Sequence, residues 1–395
     1  MRIAVLSWYA PGCRDSGERV RLAGVVAELA HSHEVDCLFL ELGPDDENTA
    51  SEWVALRSKL RLRPYCIPAI SIARATILGR SVYSELLNRR NLAKPIREWL
   101  SAQSYDVILA NQLYVMPLIP PGLHSQVILD THNADSVRLM RLANEGHGSG
   151  FQRLAAYLQS VMTRRLESQL AKTLMGVWAV SDADAEHFNA MAFRRVSVVP
   201  NGTQVPKRVR QVGMVAGPEI RLLFVGSLGY SANLDALQWF RDKWGSAAND
   251  VSWRLTVIGS GDISRARHIV ATEPRISLVG RVDSVDDYYL TADALVVPMR
   301  QGGGTRLKVI EALAAGLPII STEMGMEGVG AQSDEHYLQV RSPEEFNAAL
   351  KVIRDSPLAV ERMTRQGLRL ASQFMWPVIR KTMESSLRDW RGSDA

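Results

Sequence analysis

The sequence predicts an α/β protein of two doubly wound, Rossmann-like domains facing a central cleft. Three observations predict it. Short runs rich in Val, Ile and Leu, without polar alternation, recur along nearly the whole chain, the pattern of parallel strands buried on both faces. Amphipathic stretches of helical period lie between them, and strand–helix alternation on this scale belongs to doubly wound sheets. The length of 395 residues allows two or three domains at roughly 100–200 residues each.

The first strand is expected at 2–6, followed by a loop holding Gly12 and Gly17 and a helix over 18–30. Further strands are expected at 35–40, 107–110, 127–129, 177–180 and 196–199. A second series follows at 222–225, 255–258, 276–279, 294–297 and 318–320, with helices over 234–244 and 305–315. Pro200-Asn201-Gly202 and the stretch 203–219, which contains Pro206 and Pro218 and few periodic apolar residues, mark a boundary. The domains are therefore placed at 1–202 and 203–375, with 376–395 as a terminal helix. In open α/β sheets ligands sit at the carboxyl ends of strands, so the strand–loop–helix junctions are the places to search.

Composition excludes several classes. Hydrophobic residues at 46% and charged residues at 22% are ordinary globular usage, which excludes global disorder. Lys plus Arg at 46 against Asp plus Glu at 42 is too even to argue for nucleic acid. Cys13, Cys37 and Cys66 form neither a metal nor a redox motif, and an odd, scattered count fits a reducing compartment. No run of eighteen apolar residues exists to span a bilayer. The start, Met1-Arg2-Ile3-Ala4-Val5-Leu6, is too short for a signal-peptide core and reads as a buried strand. A cytoplasmic protein is the expectation.

Charge is uneven in the first half. Residues 1–52 carry a net −6, whereas 53–100 carry ten Lys or Arg and two acids, a net +8. The stretch 67–87 is also apolar and helix-like. It is either a solvated helical excursion of the first domain or a basic amphipathic region that rests on an anionic membrane at the inner face of the cell.

The most informative segment runs from Val296 to Pro318. A buried strand ends at Pro298, Gly302, Gly303 and Gly304 follow, and a helix begins near Thr305. Gly316 supplies a C-terminal cap and Pro318 starts the next strand. Glycines after a strand let backbone approach a ligand, and the helix N-terminus offers N–H groups and a partial positive charge. Arg306 and Lys308 add cations where the helix dipole disfavours them, so an anion explains them better than helix stability does. Glu311, further along the same helix, is placed to accept hydrogen bonds from hydroxyls such as those of a ribose. Glycines alone would be an ordinary tight turn; the combination with Arg306, Lys308, Glu311 and Gly316-x-Pro318 points to a phosphate site.

This segment resembles the donor-binding signature of retaining glycosyltransferases of family 4, which have the two-Rossmann GT-B fold. The resemblance extends to Phe224-Val225-Gly226-Ser227-Leu228, Val257-Ile258-Gly259-Ser260-Gly261, Leu278-Val279-Gly280-Arg281-Val282, Val180-Ser181-Asp182 and the junction Val198-Val199-Pro200-Asn201-Gly202. Phe374-x-Trp376 followed by a helix resembles the segment that crosses back onto the first domain. The resemblance implies a nucleoside-diphosphate-sugar donor in the second domain, with Glu311 on the ribose, Arg281 and Val282 beside the base, and Gly303, Gly304 and Thr305 lining the donor. It implies an acceptor in the first domain: a sugar, a lipid-linked sugar or a small molecule, as in bacterial polysaccharide or glycolipid assembly. Two departures stand out. The glutamate that the family often carries eight positions before Glu311 is Gly303 here. The two cations that normally hold the diphosphate are replaced at Ser227 and near Asn233, and Arg306 and Lys308 are expected to take their place.

In the first domain, Val127-Ile128-Leu129 leads into Asp130-Thr131-His132-Asn133, and His132 resembles the family's active-site histidine at a strand end. Gly17 opens a helix whose amide could join an anion nest. No carboxylate nucleophile can be assigned, so the resemblance implies front-side attack with the leaving phosphate assisting deprotonation. No metal or other cofactor is expected; Asp182-Ala183-Asp184 reads as N-terminal helix charge after Ser181. Two alternatives remain at the level of sequence, a nucleotide-sugar epimerase on the same fold and a nucleotide-sugar-binding protein without activity.

Overall fold

The computed structural model describes residues 1–8, 17–40, 59–62, 93–144, 149–210, 217–248, 250–301 and 305–392. The chain divides into two compact units, Met1–Pro200 with Arg380–Ala395, and Asn201–Ile379.

In the first unit the described residues form a parallel sheet of seven strands: β1 (Arg2–Ser7), β2 (Glu34–Leu40), β3 (Lys59–Leu62), β4 (Val107–Asn111), β5 (Val127–Asp130), β6 (Gly176–Ala179) and β7 (Val196–Val198). Their order is β3-β2-β1-β4-β5-β6-β7, so the direction of winding reverses between β1 and β4. The central strands β4, β5 and β6 are buried at every position, which is why they are apolar up to Asn111 and Asp130 at the carboxyl ends of β4 and β5. Helix α1 (Gly17–Leu29) turns Leu22, Val25, Val26 and Leu29 toward the core at helical spacing. Helices α2 (Ala93–Ser101), α3 (Asp135–Asn144), α4 (Gly150–Leu170) and α5 (Asp182–Ala190) complete the layers. Ser149 and Gln152 close a capping box at the start of α4, and the Ser181 hydroxyl accepts from the Asp184 amide at the start of α5.

Strand β3 is a correction to the sequence reading, which placed no strand in 53–100. Among the described residues Lys59-Leu60-Arg61-Leu62 pairs only with β2, and an edge strand needs no continuous apolar run. The helix-like stretch 67–87 lies outside the described residues, as do Gly12, Cys13, Cys66, Gly303 and Gly304. Cys37 is buried.

The second unit has a six-stranded parallel sheet among its described residues: β8 (Ile220–Val225), β9 (Trp253–Ile258), β10 (Ile276–Gly280), β11 (Ala294–Val297), β12 (Ile319–Ser321) and β13 (Leu338–Gln339). The order β10-β9-β8-β11-β12-β13 repeats the reversal, here between β8 and β11. Helices α6 (Ser231–Trp239), α7 (Ser264–Val270), α8 (Asp286–Thr291), α9 (Leu307–Ala314), α10 (Pro343–Asp355) and α11 (Pro357–Ser372) cover it. The single helix expected over 234–244 is instead α6 followed by a wide π turn at Phe240–Gly245. That turn carries two wholly buried rings into one aromatic cluster: Trp244 stacks on Phe346 at 5.1 Å and Phe240 meets Trp253 edge-on at 5.6 Å.

Helix α9 ends as its sequence predicts. Gly316 adopts φ +74, Leu317 N–H reaches the Ala312 carbonyl at 2.9 Å, and Gly316 N–H reaches Leu313 at 3.1 Å, the paired bonds of a Schellman cap. The last helix, α12 (Trp376–Gly392), is joined to Thr203 by backbone bonds from Thr203 to Phe374 and from Trp376 to Thr203. From Arg380 onward it belongs to the first unit, where Trp178 donates to Ser386 at 2.9 Å and Arg391 pairs with Asp106 at 2.8 Å. Among the described residues no helix is long and apolar enough to cross a membrane.

Candidate functional site

In the second unit the chemistry gathers where the strand order reverses. Strand β8 runs into Gly226, and a Cβ there would lie 2.8 Å from Asn233 Nδ2 and 2.9 Å from Lys308 Nζ. A side chain at 226 would have to displace these two polar heads. Lys308 Nζ donates to Asn233 Oδ1 at 2.9 Å and lies 5.1 Å from the centroid of the Phe224 ring. The Asn233 amide in turn donates to the Ser227 carbonyl at 2.9 Å. Burial, and secondly the Arg306 charge, lower the Lys308 pKa to about 7.

Helix α9 starts at Leu307 rather than Thr305, so Arg306 occupies the N-cap and Lys308 the second helical position. The Arg306 side chain is buried, and its carbonyl takes the Val309 and Ile310 amides. Thr305 is tied down on both sides: its carbonyl accepts from Asn201 at 3.1 Å and its hydroxyl donates to the Gly328 carbonyl at 3.4 Å. One turn along α9, the Glu311 carboxylate accepts the Tyr289 hydroxyl at 2.9 Å. Burial first, then Glu311, raise the Tyr289 pKa well above its usual value, so it remains a phenol that donates. Arg281 is exposed and Val282 half-buried, both directly after β10.

In the first unit the corresponding point is the reversal between β1 and β4. Ser7, Asn111 and Asp130 end three neighbouring strands in register. Ser7 Oγ donates to Asn111 Oδ1 at 3.2 Å, and Asn111 Nδ2 donates to Asp130 Oδ2 at 3.0 Å. Arg21 reaches in from α1 and donates from Nε and Nη2 to Asp130 Oδ1, at 3.1 and 2.5 Å. His132 Nε2 lies 3.1 Å from Asn111 Nδ2. Burial is the main cause that lowers the His132 pKa to about 4; Asp130 opposes it, Arg21 adds to it, and Glu18 opposes it. The ring is therefore neutral at pH 7. Two residues beyond His132's neighbour Asn133, Asp135 accepts the Tyr114 hydroxyl at 3.0 Å, and burial raises its pKa to about 6 against the pull of Arg138. Gly17 is exposed and is the first residue of α1.

Gln112, directly after Asn111, has φ 70 and ψ 154, a region essentially reserved for glycine that costs other residues roughly 1–3 kcal/mol. It is also buried, with no hydrogen-bond partner for Oε1 among the described residues. Strain joined to an unsatisfied acceptor at a strand end marks a functional position. Gln112→Gly is expected to raise stability by about 1 kcal/mol, since relieved strain exceeds the roughly 0.5–1 kcal/mol of added chain entropy. Ligand binding or turnover should fall. Urea denaturation beside an activity assay checks the pair, and a destabilised variant would contradict the strain argument.

Residues 219–355 match the family model described as Glycosyl transferases group 1. Among solved structures the chain is similar to sucrose-phosphate synthase from Thermosynechococcus elongatus, with TM-score 0.75, 17% identity and 99% of both chains covered. It is similar to alpha,alpha-trehalose 6-phosphate synthase from Burkholderia multivorans, with TM-score 0.65, 13% identity and 100% of both chains covered. A third similar structure is the Anabaena protein HepE in complex with UDP and glucose, with TM-score 0.63, 13% identity, and 98% of this chain and 100% of that chain covered. These likenesses show the GT-B fold. No curated protein matches the chain by sequence.

The matched span holds Arg281, Val282, Thr305, Arg306, Lys308 and Glu311, and its geometry brings Arg306 and Lys308 together at the start of α9. Sequence reasoning missed the residues that hold these in place. Asn233 was noted only as the site of a replaced lysine, yet it carries Lys308; Tyr289 carries Glu311. In the first unit it missed Arg21, Asn111 and Gln112. A signal existed for Arg21: it lies on the buried stripe of α1 with Leu22 and Val25, where an unpaired charge does not survive. Among the described residues no group of three or more His, Cys, Asp or Glu is placed to hold a metal ion.

Proposed function

We propose that this protein is a retaining glycosyltransferase that moves a sugar from a nucleoside diphosphate to an acceptor hydroxyl without a metal. The observation that carries the reading is the pair of cations at the N-terminus of α9, Arg306 at the cap and Lys308 bonded to Asn233 beside Gly226, at the reversal of the second sheet. Cations, helix amides and close backbone suit a diphosphate. Glu311, steadied by Tyr289, then accepts from ribose hydroxyls. The base is assigned to Arg281 and Val282, and Gly303, Gly304 and Thr305 are assigned to donor binding. HepE, whose structures contain UDP, glucose and UDP-glucose, is a precedent for such a donor on this fold.

In the reaction the bond between the sugar's anomeric carbon and the phosphate oxygen breaks. The acceptor oxygen bonds to that carbon on the same face, and the hydroxyl proton passes to the leaving phosphate. Positioning and stabilisation of the departing diphosphate supply the catalysis, with His132 ordering the acceptor in the first unit. The acceptor is proposed to be a lipid-linked or other sugar of bacterial surface assembly, on the strength of the net +8 over 53–100; failure to co-sediment with anionic vesicles at low salt would remove the membrane part.

A thermal-shift series with UDP, GDP, ADP and TDP and their sugars tests the donor. A ligand of the folded state raises the melting temperature by mass action. One base family should shift the transition, and Glu311→Ala should remove the shift. No shift with any of the four would reject the donor site as described.

A further inference from the structure

We infer that Asn111 fixes His132 as a neutral imidazole protonated at Nδ1, so that His132 meets its ligand as a hydrogen-bond donor and accepts no proton during the reaction. Asn111 is thereby a positioning residue for transfer. The inference deepens the proposed function and rests on it for the identity of the ligand, an oxygen of the acceptor.

The argument begins at Asp130. Its carboxylate is wholly buried and takes two bonds from an equally buried Arg21 guanidinium. A carboxylate beside guanidinium only accepts. The Asn111 atom 3.0 Å from Asp130 Oδ2 is therefore the amide nitrogen, because the reversed amide would set a carbonyl oxygen against the carboxylate. Ser7 completes the assignment by donating to Asn111 Oδ1. The amide nitrogen has two hydrogens. One goes to Asp130, and the other faces His132 Nε2 at 3.1 Å. An amide nitrogen has no acceptor capacity, so Nε2 must be the acceptor and the ring's single proton sits on Nδ1.

The surroundings agree. Burial lowers the His132 pKa to about 4, and the charged groups that act on the ring are Asp130 and Glu18, which raise it, and Arg21, which lowers it. The basic lone pair of the ring is engaged by Asn111, and Nδ1–H has no hydrogen-bond partner among the described residues. A hydroxyl or phosphate oxygen is the group that fits it. The usual alternative for a histidine at such a place, a general base, would need the lone pair that Asn111 occupies.

The test begins with the wild-type protein, labelled with nitrogen-15 and read by long-range proton–nitrogen correlation. The expected spectrum shows His132 as the Nδ1–H tautomer, unchanged between about pH 5 and 8. An Nε2–H tautomer, or a titration inside that range, overturns the inference without any variant. Asn111→Asp then replaces the donor by an acceptor and should move the proton to Nε2; Asn111→Ala should release the preference. Either variant should lower kcat about tenfold, the worth of one well-directed hydrogen bond, with little change in the KM for the donor. A switched tautomer with unchanged kcat overturns the positioning role. Absence of any sugar transfer by the wild type overturns the functional reading instead, and the spectrum still decides the tautomer.

Discussion

Arg21→Leu is expected to destabilise the first unit by about 3–5 kcal/mol, the cost of leaving one member of a buried ion pair alone. Neither side chain of the Arg21–Asp130 pair reaches solvent. Leucine fills part of the space vacated by arginine, so lost packing is a minor contribution. The major one is the Asp130 charge, which keeps only the Asn111 amide among its present side-chain partners. The loss also propagates, because Asn111 takes its orientation from Asp130 and passes it on to His132. The double variant Arg21→Leu/Asp130→Leu separates charge from shape: with both charges gone, about half or more of the lost stability should return. Urea denaturation followed by tryptophan fluorescence reads both. An Arg21→Leu protein within about 1 kcal/mol of wild type would mean that the pair is not buried as described, since surface substitutions fall in that range.

How far the sequence foretells the molecule follows from what each part is made of. Strands buried on both faces are apolar along most of their length, so β1, β4, β5 and β11 stand out as runs of Val, Ile, Leu and Ala. Strand β3 escapes because an edge strand with Lys59 and Arg61 satisfies no such rule, and β13 is two residues long. The start of α9 is misplaced by two residues, which matters because it makes Arg306 the cap and not a helical residue. At the site, the side chains that would face a ligand are legible: glycines, cations and a glutamate at unusual places are hard to explain otherwise. Their supports are not. Asn233 and Lys308 are 75 residues apart, and Arg21 and Asp130 are 109 apart. Only the winding of the two sheets brings each pair together, and a single sequence carries no trace of that distance. Gln112 is invisible for another reason, since a backbone angle is not a residue type.

Lys308→Ala is expected to weaken nucleoside-diphosphate binding by about 10- to 150-fold, the 1.5–3 kcal/mol of a hydrogen bond to a charged group. The pH dependence identifies the cause. Without ligand, burial and Arg306 hold the Lys308 pKa at about 7, below that of an ordinary lysine. A diphosphate brings negative charge and must raise it. Between the two values the complex binds a proton that the free protein does not, so affinity falls as pH rises above about 7, by at most tenfold per unit. Stability of the free protein moves the other way. The unfolded chain binds the Lys308 proton up to an ordinary lysine pKa of about 10.4 whereas the folded chain releases it near 7, so this group's contribution grows with pH across that window. Lys308→Arg makes the decisive comparison, because a guanidinium stays charged throughout. It should keep more affinity than alanine and lose the pH dependence above 7. Calorimetric titration of UDP, GDP, ADP and TDP at pH 6.5, 7.5 and 8.5 covers the window. Equal affinities at all three for the wild type, or a Lys308→Ala protein that binds as tightly, would place the diphosphate away from α9.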